Sequence, residues 1–313
     1  MSAPDRRTGL LATALLVALT AVWGSTFFLI RDLVETVPPL DFLALRFTLA
    51  AVLMVALFWR PLRALGRREW VVGAALGLLY GVAQILQTIG LSLTDASVSG
   101  FITGLYVVLT PILSALLLRE RPSRATWFAV LLSTTGLAVL ALRGVSVGLG
   151  ESLTLACAAV YALHIIGLGR WSTRTHATGM SAVQMIVIAL VCCIGAVPGG
   201  ITWPQGLGQW TSVVYMATAA GVLALWAQTW AQARLTATRA AVVMTLEPVF
   251  AALFAVLFGG ESLTPRMLVG GVLVVAAMYV VELGGRRPKR GDIGRPVDGP
   301  DDVPVEARHH EVA

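Results

Sequence analysis

The chain has 313 residues, of which 57% are hydrophobic and only 13% are charged. Soluble globular domains usually carry about 25% charged residues, so this composition excludes an ordinary soluble fold and indicates a protein solvated by lipid. The formal net charge of +6 does not indicate a nucleic-acid partner, because the basic residues form short clusters between apolar runs, where lipid headgroups attract them.

Apolar runs of about 20 residues, the length that crosses a bilayer as a helix, recur along the chain. They lack the alternating polarity of membrane-barrel strands, so we predict an all-α integral membrane protein with ten transmembrane helices. The first run follows basic residues as a signal peptide would, but its length and the later runs favour a transmembrane helix. The predicted limits are 10–30, 42–59, 70–91, 97–118, 126–142, 151–169, 179–201, 211–231, 238–258 and 266–283.

Arginine is distributed unevenly between the alternate loops of this topology. With the N-terminus inside, the outer loops hold only Arg31, Arg143 and Arg266, while the other arginines near the spans lie on the inner side. By the positive-inside rule, this predicts cytoplasmic N- and C-termini in the cytoplasmic membrane. Residues 285–313 are rich in Gly, Pro and charge, which predicts a disordered cytoplasmic tail.

The sequence contains an internal repeat. The segment "ALTAVWGSTFF" aligns with "ACAAVYALHII" 138 residues later, which places Trp23 over Tyr161. Further along, the offset is 141 residues and places Gln87 over Gln228. Each copy therefore contains five of the predicted spans.

An odd number of spans per copy determines the geometry of the whole chain. Two five-span copies in series cross the membrane in opposite directions, and such inverted repeats occur in secondary transporters. We therefore predict two inverted five-helix repeats, at residues 8–145 and 149–284.

Three segments resemble a known family: "VWGSTFFLIRDLVETVPPLDFLALRF", "ASVSGFITGLYVVLTPILSALLLRERPS" and "LEPVFAALFAVLFGGESLTP". They are similar to the EamA-type branch of the drug/metabolite transporter superfamily, and the resemblance covers residues 10–283. It implies a ten-helix fold in which spans 1–4 and 6–9 line a central cavity and spans 5 and 10 pack outside. It also implies export of amino acids or toxic organic compounds rather than import, without identifying the substrate.

Glu247 and Pro248 stand together in the middle of the apolar run "VVMTLEPVFAALF". Pro248 has no N–H for the carbonyl of Met244, so we expect a helix break there, and freed backbone at membrane depth needs protein or a water-filled cavity. In the first copy Tyr106 occupies the place of Glu247, and Pro111 provides a break one turn beyond. Glu247 is therefore a candidate proton or cation site, the alternative being a hydrogen-bonded packing residue. Because the first copy has no carboxylate at the equivalent position, symmetric packing does not require one, and this favours a functional role for Glu247.

Other polar residues inside the spans are candidate cavity contacts. Arg46 lies near the outer end of span 2, where it either snorkels to the interface or provides a positive wall for an anionic group. Gln84 and Gln87 share one face of span 3, and Gln228 lies on span 8. These amides either contact a substrate or bond neighbouring helices.

Aromatic and imidazole side chains also occur deep in the first span of each copy. Trp23 and Tyr161 are equivalent in the repeat, and because Trp normally favours the interfaces, a deep Trp is a candidate cavity residue. His164 on span 6 either relays protons or packs through a hydrogen bond, and we favour packing.

Glycines recur at four-residue spacing in span 3, at Gly73, Gly77 and Gly81. Such a stripe permits close helix approach, either inside the molecule or in a homodimer. We favour internal packing.

Motifs of several other functional classes are missing from the sequence. It has no GxxxxGK[ST] loop, HExxH or TVGYG segment, and Cys157, Cys192 and Cys193 lack metal-ligand spacing. We therefore expect no cofactor or metal and predict a secondary transporter of small organic metabolites, amino acids or drugs, with protons as the candidate coupling ion. The alternatives are a membrane enzyme acting on lipid-linked substrates and a receptor or scaffold. A cavity that reaches Glu247 discriminates against a scaffold.

Overall fold

The computed structural model describes residues 3–94, 96–119, 122–141, 148–196, 200–258 and 263–284. Every regular element in these ranges is helical, which confirms the all-α prediction. The helices of the N-terminal half are α1 (Ala3–Gly24), α2 (Thr26–Val34), α3 (Pro39–Arg63), α4 (Arg67–Leu93), α5 (Ala96–Gly104), α6 (Tyr106–Leu118) and α7 (Arg124–Ala141).

The C-terminal half continues with α8 (Leu149–Trp171), α9 (Ala177–Ala196), α10 (Gly206–Ala217), α11 (Ala224–Gln232), α12 (Ala237–Met244), α13 (Glu247–Leu257) and α14 (Pro265–Gly284). A π-helical segment, Thr218–Leu223, joins α10 to α11. The predicted tail, residues 285–313, lies outside the described residues.

Seven helical stretches within the described ranges are long and apolar enough to cross a membrane. They are Arg7–Gly24, Pro39–Arg63, Arg67–Leu93, Leu149–Trp171, Ala177–Ala196, Gly206–Gln232 and Ala237–Phe254. Three shorter apolar helices of 10–17 residues are Ile102–Leu118, Arg124–Val139 and Pro265–Val280. The fold is therefore that of a multi-pass membrane protein, whereas ten crossings and an inverted relation between the halves stay predictions.

The outer surface is apolar and several buried positions are polar, as lipid solvation requires. Leu116, Ile194 and Val272 expose 71%, 74% and 66% of their surface, and such apolar side chains match the hydrocarbon of a bilayer. Buried polar groups include Arg46 and Gln84. The polar interior is therefore a feature that packing alone does not explain.

Two helix groups hold this interior in place. Helix α9 packs along both α3 and α4, and α8 packs along α4, whereas α7 and α14 pack together. The largest buried side chains between α3 and α9 include Phe42, Phe47, Met185 and Ile188. The pairing of α7 with α14 keeps these two helices away from the polar interior.

The glycine stripe of α4 provides the close approach of α9. A Cβ on Gly77 would lie 2.7 Å from the carbonyl oxygen of Gln184, and one on Gly73 would lie 3.0 Å from Cβ of Val183. Gly81 likewise faces Val191. The stripe is therefore used in internal packing, as the sequence favoured.

Three apolar stretches are interrupted near their middle: α1 from α2 at Ser25, α5 from α6 at Leu105, and α12 from α13 at residues 245–246. The amide of Leu105 donates to the carbonyl of Ile102 at 3.1 Å, and Thr245 donates to Val242 at 3.2 Å. These bonds span three residues instead of four and tighten the helix end.

The two prolines relate differently to these interruptions. Helix α12 ends at Met244, and Pro248 is the second residue of α13, where its missing N–H costs no hydrogen bond. Pro111, in contrast, lies inside α6, and the interruption falls at Leu105. The break predicted at Pro111 is therefore wrong, because α6 continues through this proline; the missing N–H affects the carbonyl of Val107, whereas the interruption lies six residues before Pro111.

Candidate functional site

A cavity of about 60 Å³ lies between helices of both halves. Its walls are Trp23, Thr26, Ile30, Arg46, Tyr80, Gln84, Gln87, Thr88, Leu91, Thr103, Tyr106, Tyr161, Ile165, Gln228, Met244 and Glu247. Seven of the eight candidate contacts chosen from the sequence are in this set, and His164 is the exception. The cavity reaches Glu247, which is the feature that discriminates against a scaffold.

The lining differs in one respect from what the family resemblance implied. Helices α7 and α14, the predicted spans 5 and 10, contribute no lining residue, as expected. Helix α9, the predicted span 7, contributes none either. It packs along α3 and α4, and its polar residue Gln184 bonds to His164 and Thr229 instead of lining the cavity.

One wall is a chain of hydrogen bonds from α4 to α8 and α5. Nε2 of Gln84 donates to Oη of Tyr161 at 2.6 Å, and that hydroxyl donates to Oε1 of Gln87 at 3.1 Å. Nε2 of Gln87 then lies 3.5 Å from Oγ1 of Thr103. Each member fixes the next, so this wall presents oriented amide and hydroxyl groups.

Arg46 is a buried cation that pairs with no carboxylate among the residues that the structure describes. Its side chain is 3% exposed, and Nε has no hydrogen-bond partner within the described ranges. The guanidinium carbon lies 4.8 Å from the ring centre of Phe47 and 5.8 Å from that of Phe42. Cation–π contacts stabilise the charge only partly, and arginine stays protonated in proteins. The arrangement therefore places a buried guanidinium on the cavity wall, and Arg46 does not snorkel.

Glu247 faces the same cavity from the start of α13. Its side chain is half-buried and makes neither a hydrogen bond nor an ion pair in the described part of the chain. Gly24 at the end of α1 lies against this turn, since a Cβ there would be 2.9 Å from the carbonyl oxygen of Glu247. A basic and an acidic side chain, Arg46 and Glu247, therefore line one cavity without pairing with each other.

Trp23 connects the cavity to the π-helical segment. Its Nε1 donates to the carbonyl oxygen of Ala220 at 3.0 Å, within the turn where wider helical winding alters the regular bonding pattern. Nearby, the hydroxyls of Ser25 and Tyr215 lie 2.6 Å apart. The end of α1 is therefore bonded to the π-helical segment, and the interruption at Ser25 is bonded to the preceding helix α10.

His164 lies outside the cavity and is fully buried. Its Nε2 is 2.9 Å from Oε1 of Gln184, whose Nε2 donates to Oγ1 of Thr229 at 3.2 Å. Because the amide oxygen accepts, Nε2 of His164 is assigned as the donor. The ring also meets the edge of Tyr80, with centres 5.1 Å apart. These contacts support the packing interpretation.

Two tyrosines of the site were not selected from the sequence. Tyr80 precedes Gln84 by four residues and Gln87 by seven, so all three share a helix face. That spacing was an available signal. Tyr106 was identified only as the counterpart of Glu247 in the repeat. The difference between a tyrosine and a glutamate at equivalent positions of the two copies is the signal that would have selected it.

Comparison with known proteins gives consistent results. The sequence model of the EamA-like transporter family matches residues 10–142 and 148–283. An uncharacterized transporter of Archaeoglobus fulgidus is 31% identical over 269 residues, which cover 86% of this chain and 84% of that protein. The threonine/homoserine exporter RhtA of Escherichia coli is 29% identical over 279 residues, covering 84% and 88% respectively.

A protein of known crystal structure has the same fold. It is 22% identical and superposes with a TM-score of 0.74, covering 90% of this chain and 98% of its own. At this identity the likeness concerns the fold alone.

Proposed function

This chain belongs to the EamA-like transporter family, and from that premise we propose that it is a secondary transporter that exports small organic metabolites across the cytoplasmic membrane by alternating access. The observation that carries the proposal is the central cavity with two charged groups, Arg46 and Glu247, that have no ion partner in the described ranges. Buried charges left unpaired are costly, and in membranes they mark substrate or ion pathways.

The proposed architecture is ten crossings in two inverted repeats. The family model matches twice, once in each half, and the three shorter apolar helices supply the crossings beyond the seven long ones. Two interruptions, at Leu105 and Leu246, are 141 residues apart, the same offset as in the sequence repeat. These observations support a pseudo-two-fold axis in the membrane plane, and the distribution of arginines between the loops supports cytoplasmic termini.

The size of the cavity supports alternating access. Ligand pockets usually measure about 300–1,000 Å³, whereas this one measures about 60 Å³. A metabolite therefore requires the helices around the cavity to separate. The interrupted helices that line it are the elements suited to such movement, because their ends can change direction without breaking regular hydrogen bonds.

The roles proposed for the two charges follow their chemistry. Arg46 binds an anionic group of the substrate, such as a carboxylate. Glu247 binds a proton or a cationic group, so transport is coupled to protons or depends on substrate charge. The name of RhtA, a threonine/homoserine exporter, supports amino acids as one cargo class for this chain.

The geometry favours transport over the two alternatives. A scaffold has no use for a polar cavity that reaches Glu247. An enzyme needs an acid and a base on one substrate, but His164 is bound to Gln184 outside the cavity that Glu247 lines.

The test is a comparative metabolite profile of medium and cytosol. Cells produce the wild type, Glu247→Gln or the control Glu35→Gln at matched membrane levels; Glu35 is exposed at the end of α2. We expect at least one compound to move outward with the wild type and the control but not with Glu247→Gln.

Two results would contradict parts of this proposal. Equal export by Glu247→Gln and the wild type would make Glu247 a structural residue. An unchanged profile for every compound, in cells grown on both rich and minimal media, would contradict the transport function itself.

A further inference from the structure

Tyr106 carries a polar atom that the protein leaves without a partner. The side chain is 3% exposed and lines the cavity, and its Oη has no hydrogen-bond partner within the described ranges. Buried polar side-chain atoms in folded proteins are normally hydrogen-bonded, so each exception requires an explanation. A phenol facing a cavity is free to bond whatever enters it.

Gln228 presents a second such atom on the same cavity. It is 2% exposed, and its Oε1 has no partner in the part of the chain that the structure describes. Its Nε2 lies 3.9 Å from Sδ of Met244, a weak acceptor. This contact directs the N–H groups to the sulfur and leaves the amide oxygen as the unbonded acceptor.

Glu247 completes the group. It follows Met244 by three residues, lines the cavity and forms no hydrogen bond in the described ranges. Helix α12, which ends one turn before Glu247, packs against α6, which begins with Tyr106. Three groups with unbonded oxygens thus line one cavity, and two of them, the amide oxygen of Gln228 and the carboxylate of Glu247 when it is deprotonated, only accept.

We propose that Tyr106, Gln228 and Glu247 form a subsite for a primary ammonium group, which makes an N–H-bearing amine the feature that selects the cargo. A primary ammonium has three N–H donors and no acceptor, so it complements one oxygen from each of the three groups, and deprotonated Glu247 matches its positive charge. A trimethylated ammonium has the same charge but no N–H and leaves the two neutral oxygens unbonded. This inference rests on the proposed transport function and identifies the substrate group that Glu247 binds.

Arg46 extends the inference to the whole substrate. Arg46 and Glu247 do not pair with each other in the described structure. A molecule that carries both an anionic group and an ammonium group can therefore bind both side chains. A compound with an ammonium group and a carboxylate on a small skeleton has this pattern. A hydroxy acid fits only the Arg46 end, and a betaine lacks the N–H groups that the other end requires.

The experiment uses the purified full chain in proteoliposomes loaded with a defined mixture. For each of glycine, alanine, threonine and leucine, the lumen holds the amino acid, the matching 2-hydroxy acid and the N-trimethyl betaine at equal concentrations. Efflux of every compound is followed by mass spectrometry against liposomes without protein. We expect efflux of members of the amino-acid class only.

Variants then test the subsite against a general loss of function. Tyr106→Phe and Gln228→Met each remove one oxygen; we expect the concentration of amino acid for half-maximal efflux to rise about tenfold, the usual effect of losing one hydrogen bond to a charged group. Tyr279→Phe is the control, because Tyr279 is 56% exposed on α14 and does not line the cavity. A purely structural role would instead lower the maximal rate and the melting temperature together.

Three outcomes would overturn the subsite. They are efflux of the betaines equal to that of the amino acids, an unchanged half-maximal concentration in both variants, and no efflux in any class. The metabolite profile of whole cells decides transport separately, so failure of the subsite with export intact is distinguishable from failure of the transport function.

Discussion

Arg46 is a side chain that lowers the stability of the fold and is suited to bind a ligand. Such residues are expected at a transport site. It is 3% exposed, contacts only aromatic faces as cation partners, and has an unbonded Nε in the described structure. Replacing buried charges by apolar groups of similar volume is often neutral or stabilising. Evolution retains such groups when function requires them.

We therefore predict that Arg46→Met stabilises the protein while it removes transport of carboxylate-bearing compounds. The expected gain in the free energy of unfolding is about 1–3 kcal/mol, from loss of an unpaired buried charge minus the cation–π contacts. The measurements are the melting temperature in detergent and the export profile of cells.

Arg63 provides the matched control for this substitution. Its guanidinium also lies 4.8 Å from an aromatic ring centre, that of Trp59, but the residue is exposed. Arg63→Met should change neither stability nor export appreciably. A lower melting temperature for Arg46→Met than for Arg63→Met would mean that the guanidinium stabilises the packing.

Side-chain spacing predicted most cavity contacts, but it could not separate binding from packing. Gln84 and Gln87 were selectable because polar residues on one helix face in an apolar span need a polar environment. His164 satisfied the same criterion and yet bonds to Gln184 outside the cavity. Whether His164 faces the cavity or α9 depends on where α9 packs. That position follows from long-range contacts that a single sequence does not reveal.

At the scale of elements, irregular helix segments surround the cavity. Trp23 donates to the carbonyl of Ala220 in the π-helical segment, and Gly221 in the same segment lies against Ala50 of α3, the helix that carries Arg46. Such π-helical turns occur frequently at functional sites. This contact therefore couples a cavity residue to the backbone geometry of the eighth span.

Trp23→Phe tests this coupling. Phenylalanine keeps the aromatic surface but removes the donor, which leaves a buried carbonyl without its partner at a cost of about 1–3 kcal/mol. We expect a lower melting temperature and faster hydrogen exchange of the amides of residues 216–224, because the segment loses its anchor.

The control for this prediction is Trp70→Phe. Trp70 is 40% exposed on α4, and its indole has no hydrogen bond within the described ranges. If Trp23→Phe and Trp70→Phe gave equal melting temperatures and exchange rates, the bond to Ala220 would have no role in fixing the segment.

Proline identified one interruption from sequence, and the others lacked a comparable signal. Pro248 follows the end of α12 by four residues, as its missing N–H requires. The interruption at Ser25 lies in "VWGSTFF" without proline, and the hydroxyl of Ser25 instead bonds to the carbonyl of Val22 and to Tyr215. Tertiary contacts of this kind arise only after the helices have assembled.

At the scale of the whole molecule, the two halves are similar in sequence but contribute unequally to the cavity. Most lining residues belong to the half before α8, whereas Glu247 belongs to the other. The proposed inverted repeats would make the inward-open and outward-open conformations similar in energy, while the unequal lining lets the two halves form a single binding site between them. The repeat was readable from matching residues, but the share of each half in the site depended on helix packing.

The number of crossings has a direct test at Ser123, an exposed residue between α6 and α7. If all ten apolar stretches cross, this loop is cytoplasmic; if only the seven long ones do, it stays outside with the loop that precedes α5. In a variant with Cys157, Cys192 and Cys193 replaced by alanine, we expect Ser123→Cys to react with a membrane-impermeant maleimide only after permeabilisation.

Two further positions calibrate this labelling. Trp203 is exposed between α9 and α10, and Trp203→Cys should react in intact cells, since the loop is outer in either count. Thr173, exposed after α8, should react only after permeabilisation in either count. Labelling of Ser123→Cys like Trp203→Cys would exclude ten crossings, and with them the two inverted five-helix repeats. Labelling like Thr173→Cys would exclude the seven-crossing topology, because only crossings by α5–α6 and α7 carry this loop to the inner side and back.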